Sequence, residues 1–165
     1  MGKTKIELKP IGIIHTPFQQ AEGTPLQPAK GKGTKGWIEI NNAHVDGLKD
    51  LDGFERIWLL FWCHRASDVK LHVKPYLDDF FRGVFSTRAP SRPNSIGLSC
   101  VRLISVIGNR LDIEDVDMLD GTPLLDIKPY ITKFDYFQVT RCGWTDNVTN
   151  KNTKADNRFF NKENK

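Results

Sequence analysis

The sequence predicts an all-β or β-rich domain, a single compact β-barrel with short helices and no Rossmann sheet. Short runs rich in Ile, Val, Leu and aromatic residues recur along the 165-residue chain, separated by Gly-, Pro- and Asn-bearing breaks. No stretch of helical period follows each strand-like run, so the alternation that builds a parallel sheet is missing. A chain of this length buries a core without needing disulfide or metal staples.

The elements follow in order. Ile6–His15 alternates loosely as a strand, and Gln19–Gly36 is a Gly/Pro/Lys-rich loop with too few apolar residues to pack. Trp37–Ile40 is a short strand and Val45–Leu51 a helical turn. Ile57–Cys63 is continuously apolar, the pattern of a strand buried on both faces. Ala66–Arg82 gives no clear period, and Gly83–Asn94 is too polar and proline-rich for anything but a loop. Ile96–Ile107 and Arg110–Asp115 flank Gly108-Asn109, which predicts a hairpin with a two-residue turn. Asp120–Pro123 breaks the chain before Leu124–Tyr130, and Phe134–Arg141 reads as a strand or short helix. The domain division is a barrel over residues 1–144 and a polar, basic, weakly ordered or partner-docked tail over 145–165, with Phe159 and Phe160 anchoring a short helix.

Cys63, Cys100 and Cys142 form no CxxC pair, which suits a reduced, cytoplasmic setting. No apolar stretch reaches the ~20 residues that span a bilayer, and the start has no signal-peptide core, so no membrane partner is expected. The net charge of +4 is uneven: residues 1–35 carry six basic and two acidic side chains, residues 128–165 carry eight and four, and the middle holds ten and fourteen. Basic flanks around an acidic centre suit a polyanion, although solvated termini give the same pattern.

Two clusters carry chemistry. The loop from Phe85 to Ser99 holds Arg88, Arg92 and Asn94 between prolines that stiffen it, a loop equipped to bind an anion through planar guanidinium forks. Asp117 and the run from Asp120 through Asp126 and Lys128 to Tyr130 interleave acids with packing residues and are suited to meet a cationic group. His64-Arg65 ends a strand, where binding groups are often displayed, but a lone histidine is more often a hydrogen-bonded structural residue. His15, His44, His64 and His72 have no metal spacing with the cysteines, so no metal is expected. Gly-x-Gly-x-x-Gly, P-loop and Gly-x-Ser-x-Gly motifs do not occur, which leaves nucleotide hydrolysis and serine-hydrolase chemistry without support.

GVFSTRAPSRPNSIGLS followed by DGTPLLDIKPY resembles the paired signature of the TrmO family, also known as TsaA-like proteins. IGIIHTPF, Gln27-Pro28 and LDGFERIWLLFWCHR extend the resemblance over roughly residues 8–137. What it implies is methyl transfer from S-adenosylmethionine to N6 of threonylcarbamoyladenosine next to the anticodon of tRNA, by a homodimeric β-barrel. Its cofactor contacts correspond to Gln27, Pro28 and Ala29, His64, Arg65, Arg88, Leu98, and Glu114, Asp115, Val116 and Asp117. Arg88 would meet the donor's carboxylate, and Arg92, Asn94 and Lys128 the tRNA. Proton acceptance has three candidates, Asp120 first, then Asp126 and Tyr130; turn-capping is the bland role for Asp120, and pairing with Asp126 that for Lys128. Ser95 stands where the family usually has proline, and the family's bacterial members carry a further C-terminal domain. Lys151, Lys154, Arg158, Lys162 and Lys165 of the tail would substitute for its grip on phosphate. Two rival readings stay open: a barrel that binds S-adenosylmethionine or RNA without catalysis, and a methyltransferase with another substrate.

Overall fold

A computed structural model describes residues 6–149 and 152–160. Its core is a closed antiparallel barrel. The strands are β1 (Gly12–His15), β2 (Lys35–Ile40), β3 (Arg56–Trp62), β4 (His72–Val73), β5 (Arg82–Gly83), β6 (Ile96–Ile107), β7 (Arg110–Glu114) and β8 (Thr122–Pro129). Around the barrel the order is β1-β2-β7-β6-β3-β8, and closure comes from β8 pairing with both β3 and β1, Leu124 standing opposite Gly12. Closure removes the free strand edges that an open sheet would expose.

Side-chain alternation places Ile14, Ile38, Ile40, Ile57, Leu59, Val101, Leu111, Ile113 and Leu124 inside the barrel, all essentially inaccessible. The β6–β7 hairpin turns at Gly108-Asn109 as its residues predict. Gly108 takes the positive φ of 59°, and the Asn109 carbonyl accepts from the Ile40 amide at 2.8 Å, tying the turn to β2.

The structure departs from the sequence reading in several places; β1 starts only at Gly12, and the segment expected at Phe134–Arg141 is a single turn of helix over Thr132–Asp135. β3 is not buried on both faces: Ile57, Leu59 and Phe61 point inward, while Trp62 is 53% exposed. In a single closed barrel every strand has an outward face, and the aromatic content of β3 disguised it; Trp58 on that face packs at a tilt on Tyr130, 5.9 Å between ring centroids. The stretch without a period contains β4 and β5, paired through His72–Gly83 and Val73–Arg82. Strands of two residues have no period to read. β8 starts at Thr122, ahead of the expected Leu124, because Thr122 and Pro123 pair with Ile14 and Ile13. Finally, residues 152–160 pack on the barrel's loops, with Phe159 only 3% exposed in a small second core with Val73, Val84 and Ala89. The two phenylalanines were expected as anchors, but the surface they meet comes from distant loops that the polar sequence around them does not indicate.

Candidate functional site

At the end of the barrel where β3 finishes and β6 begins lies a cavity of about 610 Å³. Its floor is apolar: Phe61, Leu98, Met118 and Leu119. Its polar groups come from stretches far apart in sequence, namely Gln27, His64, Arg65, Arg88, Arg92, Asn94 and Asp117. A concave apolar site of a few hundred cubic ångströms with a few convergent polar groups is the usual form of a small-molecule site.

The shape of the floor depends on one close approach. Gly97 of β6 stands opposite Phe61 of β3, and a β-carbon at Gly97 would lie 2.2 Å from the Phe61 ring. Glycine therefore lets that ring lie over β6 and form part of the wall.

Arg88 and Asp117 line the same cavity. Arg88 donates from Nη1 to Oε1 of Gln27, joining two loops 61 residues apart. The Gln27 amide in turn donates to the Leu26 carbonyl at 2.6 Å. Asp117 accepts a 2.6 Å bond from the Ser99 hydroxyl of β6. Burial pushes its carboxyl up to about 7, a rise that the Ser99 bond and the Arg88 charge only partly offset. Asp117 is thus poised between its charged and neutral forms at physiological pH. Burial, and then the Asp117 charge, push the Cys63 thiol up to about 12, which keeps it protonated and unreactive. Burial and then Arg65 hold His64 below its usual value, so it is neutral at pH 7.

Of the other expected cavity residues, Arg92 folds back to donate to the carbonyls of Thr87 at 3.3 Å and Ala89 at 3.5 Å, holding the loop's shape. Arg65 donates to the Gln19 carbonyl at 2.8 Å. The Asn94 carbonyl accepts from the Ile96 amide at 2.7 Å where the loop enters β6.

The remaining expected site residues do not line this cavity. Pro28 and Ala29 sit in a 3₁₀ turn beside it. Glu114 pairs with Arg102 at 3.5 Å, and Val116 is fully buried in the barrel core. Asp115, with φ at 66°, accepts from the Gly33 amide at 2.8 Å and from Arg56 at 2.9 Å, fastening the 31–34 loop to the barrel. Burial alone would raise its pKa, but these bonds outweigh burial and hold the carboxyl below the usual range.

Asp120 accepts from the Thr16 amide at 3.0 Å and lies 3.4 Å from Nδ1 of His15. Burial raises its pKa, but the Thr16 bond, the Gln19 side chain and His15 together outweigh that and lower it, so Asp120 is a weak proton acceptor committed to tying β1 to the turn before β8. Asp126 and Lys128 pair with each other at 2.8 Å further along β8, and Tyr130 lies beyond its far end, where its amide donates to Arg56. A strand advances about 3.3 Å per residue, so β8 carries these three away from the cavity that its first residue, Thr122, lines. Sequence reasoning ranked Asp120 first because of its turn, gave Phe61 no role, and took Gly97 and Ser99 only as the end of the Phe85–Ser99 loop without assigning either a task. Only the pairing of β3 with β6 brings those three to the cavity.

Among the described residues, no group of three or more His, Cys, Asp or Glu side chains is arranged to hold a metal ion, and no helix is long and apolar enough to cross a membrane.

Comparison with known proteins bears on what such a cavity holds. The family model of the tRNA-methyltransferase O N-terminal domain matches residues 13–136, which include both carriers of the polar pair, Arg88 and Asp117. The chain belongs to the TrmO family. A Pyrococcus abyssi protein named as a probable S-adenosyl-L-methionine-binding protein is 48% identical over 154 residues, 92% of this chain and 84% of its own. An Archaeoglobus fulgidus protein named S-adenosyl-L-methionine-binding protein is 41% identical, over 78% of this chain and 91% of its own. The human protein named tRNA (adenine(37)-N6)-methyltransferase is 37% identical over 77% of this chain but only 30% of its own. The crystal structure of TrmO from Pseudomonas aeruginosa superposes with a TM-score of 0.72 at 36% identity, covering 86% of this chain. The chain spans 63% of that TrmO chain.

Proposed function

We propose that this TrmO-family chain is an S-adenosylmethionine-dependent tRNA methyltransferase acting on N6 of threonylcarbamoyladenosine next to the anticodon. The observation that carries the reading is the convergence of Arg88, Asp117 and an apolar floor on one cavity. A zwitterionic sulfonium donor needs a guanidinium for its carboxylate, an anion for its cationic end and apolar walls for its adenine. The names of the relatives support both donor and acceptor.

The bound donor supplies a methyl group activated on sulfonium. The chain's own residues supply position and charge. Arg88, held in place by Gln27, receives the carboxylate. Phe61, Leu98 and Met118 exclude water, which strengthens every charge interaction inside. Holding the reactants at near-attack distance accounts for roughly 7–11 kcal/mol of the barrier in well-oriented reactions. Asp117 meets the donor's cationic end, and the lowered pKa of Asp120 makes that carboxylate a poor acceptor for the proton that leaves the adenine nitrogen. A neutral His64 adds no positive charge beside the sulfonium.

The enzyme works as a cytoplasmic homodimer in this proposal. Three free cysteines fit a reducing compartment, and Phe134, Tyr136, Phe137 and Val139 form an exposed apolar stretch suited to burial against a second copy. Sedimentation at micromolar concentration tests the dimer, and a monomer would sink that part. Mass spectrometry of nucleosides from tRNA incubated with the protein and S-adenosylmethionine tests the activity. A new methylated threonylcarbamoyladenosine is the expected product. The second reading, a barrel that binds the donor without transferring its methyl, draws on relatives named only as binding proteins; donor affinity without any methylated nucleoside would favour it.

A further inference from the structure

The segment 152–160 returns to the cavity end and is fastened there. The Gly23 amide donates to the Ala155 carbonyl at 3.0 Å, the Ala155 amide to Thr24 at 2.7 Å and the Leu26 amide to Thr153 at 3.0 Å. On its other side the Ser67 amide donates to the Phe159 carbonyl at 2.8 Å, and Phe160 bridges to Ala66. Arg158 donates to the Pro75 carbonyl at 3.0 Å, pairs with Asp156 at 2.6 Å and lies 5.0 Å above the Tyr76 ring. With Phe159 in the second core, this segment is a strap laid across two of the loops that form the cavity, and it presents Ala155 and Phe160 to the interior.

We propose that the strap is part of the methyl-donor site, with Phe160 forming an aromatic wall against which the donor packs. The proposal rests on the donor reading above and adds to it a part of the chain outside the matched family domain, which ends at residue 136. Because Arg158 and Phe159 fix the backbone just before it and the bridge to Ala66 holds Phe160 itself, the Phe160 ring is held before any ligand arrives, and little ordering entropy is lost on binding. Of the basic residues expected to grip tRNA phosphate, Arg158 is spent on Asp156, Tyr76 and backbone carbonyls, Lys154 lies in the strap, and Lys151, Lys162 and Lys165 lie outside the described residues.

Calorimetric titration of the full-length chain with S-adenosylmethionine tests the wall. Phe160→Ala is expected to raise Kd roughly five- to twentyfold with the melting temperature nearly unchanged, in line with the usual worth of one base–aromatic contact. Phe160→Tyr is expected to keep the wild-type Kd. Arg158→Ala, which leaves both phenylalanines in place, is expected to speed amide exchange at Leu26 and Ala155 and to weaken donor binding in step. A folded Phe160→Ala that binds the donor as tightly as wild type overturns the proposal; should that variant unfold, an unchanged Kd in Arg158→Ala does so instead. A wild-type chain giving no heat with the donor defeats the donor reading itself, whereas wild-type binding that survives the strap variants defeats the strap alone.

Discussion

At one end of the barrel β6 and β7 are joined by two residues, while at the other the cavity is assembled from stretches as distant as Gln27 and Arg88, linked across 61 positions. The first end is local and is specified by residues that touch in sequence. The second exists only when the whole domain has folded, and there the chain accepts features a core would avoid: a carboxyl with its pKa raised, and a ring lying over a glycine. Local signals build the first end, and the candidate site lies at the other.

Three substitutions break or sharpen that contrast. Arg88→Ala has the largest expected effect, because it removes the guanidinium and the Gln27 link together; kcat/KM for tRNA methylation should fall by about a hundredfold or more, with barrel stability little changed. Single-turnover methyl transfer measures the first, and thermal melting the second. A stability loss as large as the activity loss would erase the distinction between the two ends.

Gly97→Ala comes next and crosses it. The new β-carbon must displace Phe61, so the variant should lose about 1–3 kcal/mol in urea denaturation and also bind the donor more weakly. Donor affinity preserved alongside lost stability would mean that the Phe61 ring is core and not cavity wall.

Asp117→Asn gives the smallest and most specific effect. The carboxyl titrates near 3.8 in the unfolded chain and about 7 in the fold, so between these values the folded state holds an extra proton. This group's contribution to stability therefore declines as pH rises from about 4 through 7. Melting temperatures at pH 5 and pH 8 should differ less in Asp117→Asn than in wild type. Donor affinity in wild type should strengthen over the upper part of that window, as the cation meets an ionised carboxylate, and should lose that dependence in the variant.

What the sequence discloses follows the same division. The Gly108-Asn109 turn and the β6 and β7 runs are legible because their signals are local, and β1 and β2 are legible as strands with looser bounds. Arg88 and Asp117 stand out because charges in proline-stiffened loops invite explanation. The tasks of Phe61, Gly97 and Ser99 do not, even though the last two close the Phe85–Ser99 loop, since those tasks depend on the register Phe61↔Gly97, which no single segment encodes. Asp126, Lys128 and Tyr130 show the reverse error: nearness in sequence to Asp117 was mistaken for nearness in space, although one strand separates the two ends of the barrel. Phe159 and Phe160 were visible as anchors, but the surface they anchor to lies more than sixty residues earlier, beside β4, β5 and Ala66.

The insertion of β8 between β1 and β3 sets the timetable of a growing polypeptide. Until Thr122–Pro129 has left the ribosome, two staves stand with unpaired flanks, and nothing made earlier can seal them. Nascent chains halted short of Thr122 should therefore be the most prone to stick to one another, and those extended past Pro129 should turn protease-resistant in a single step.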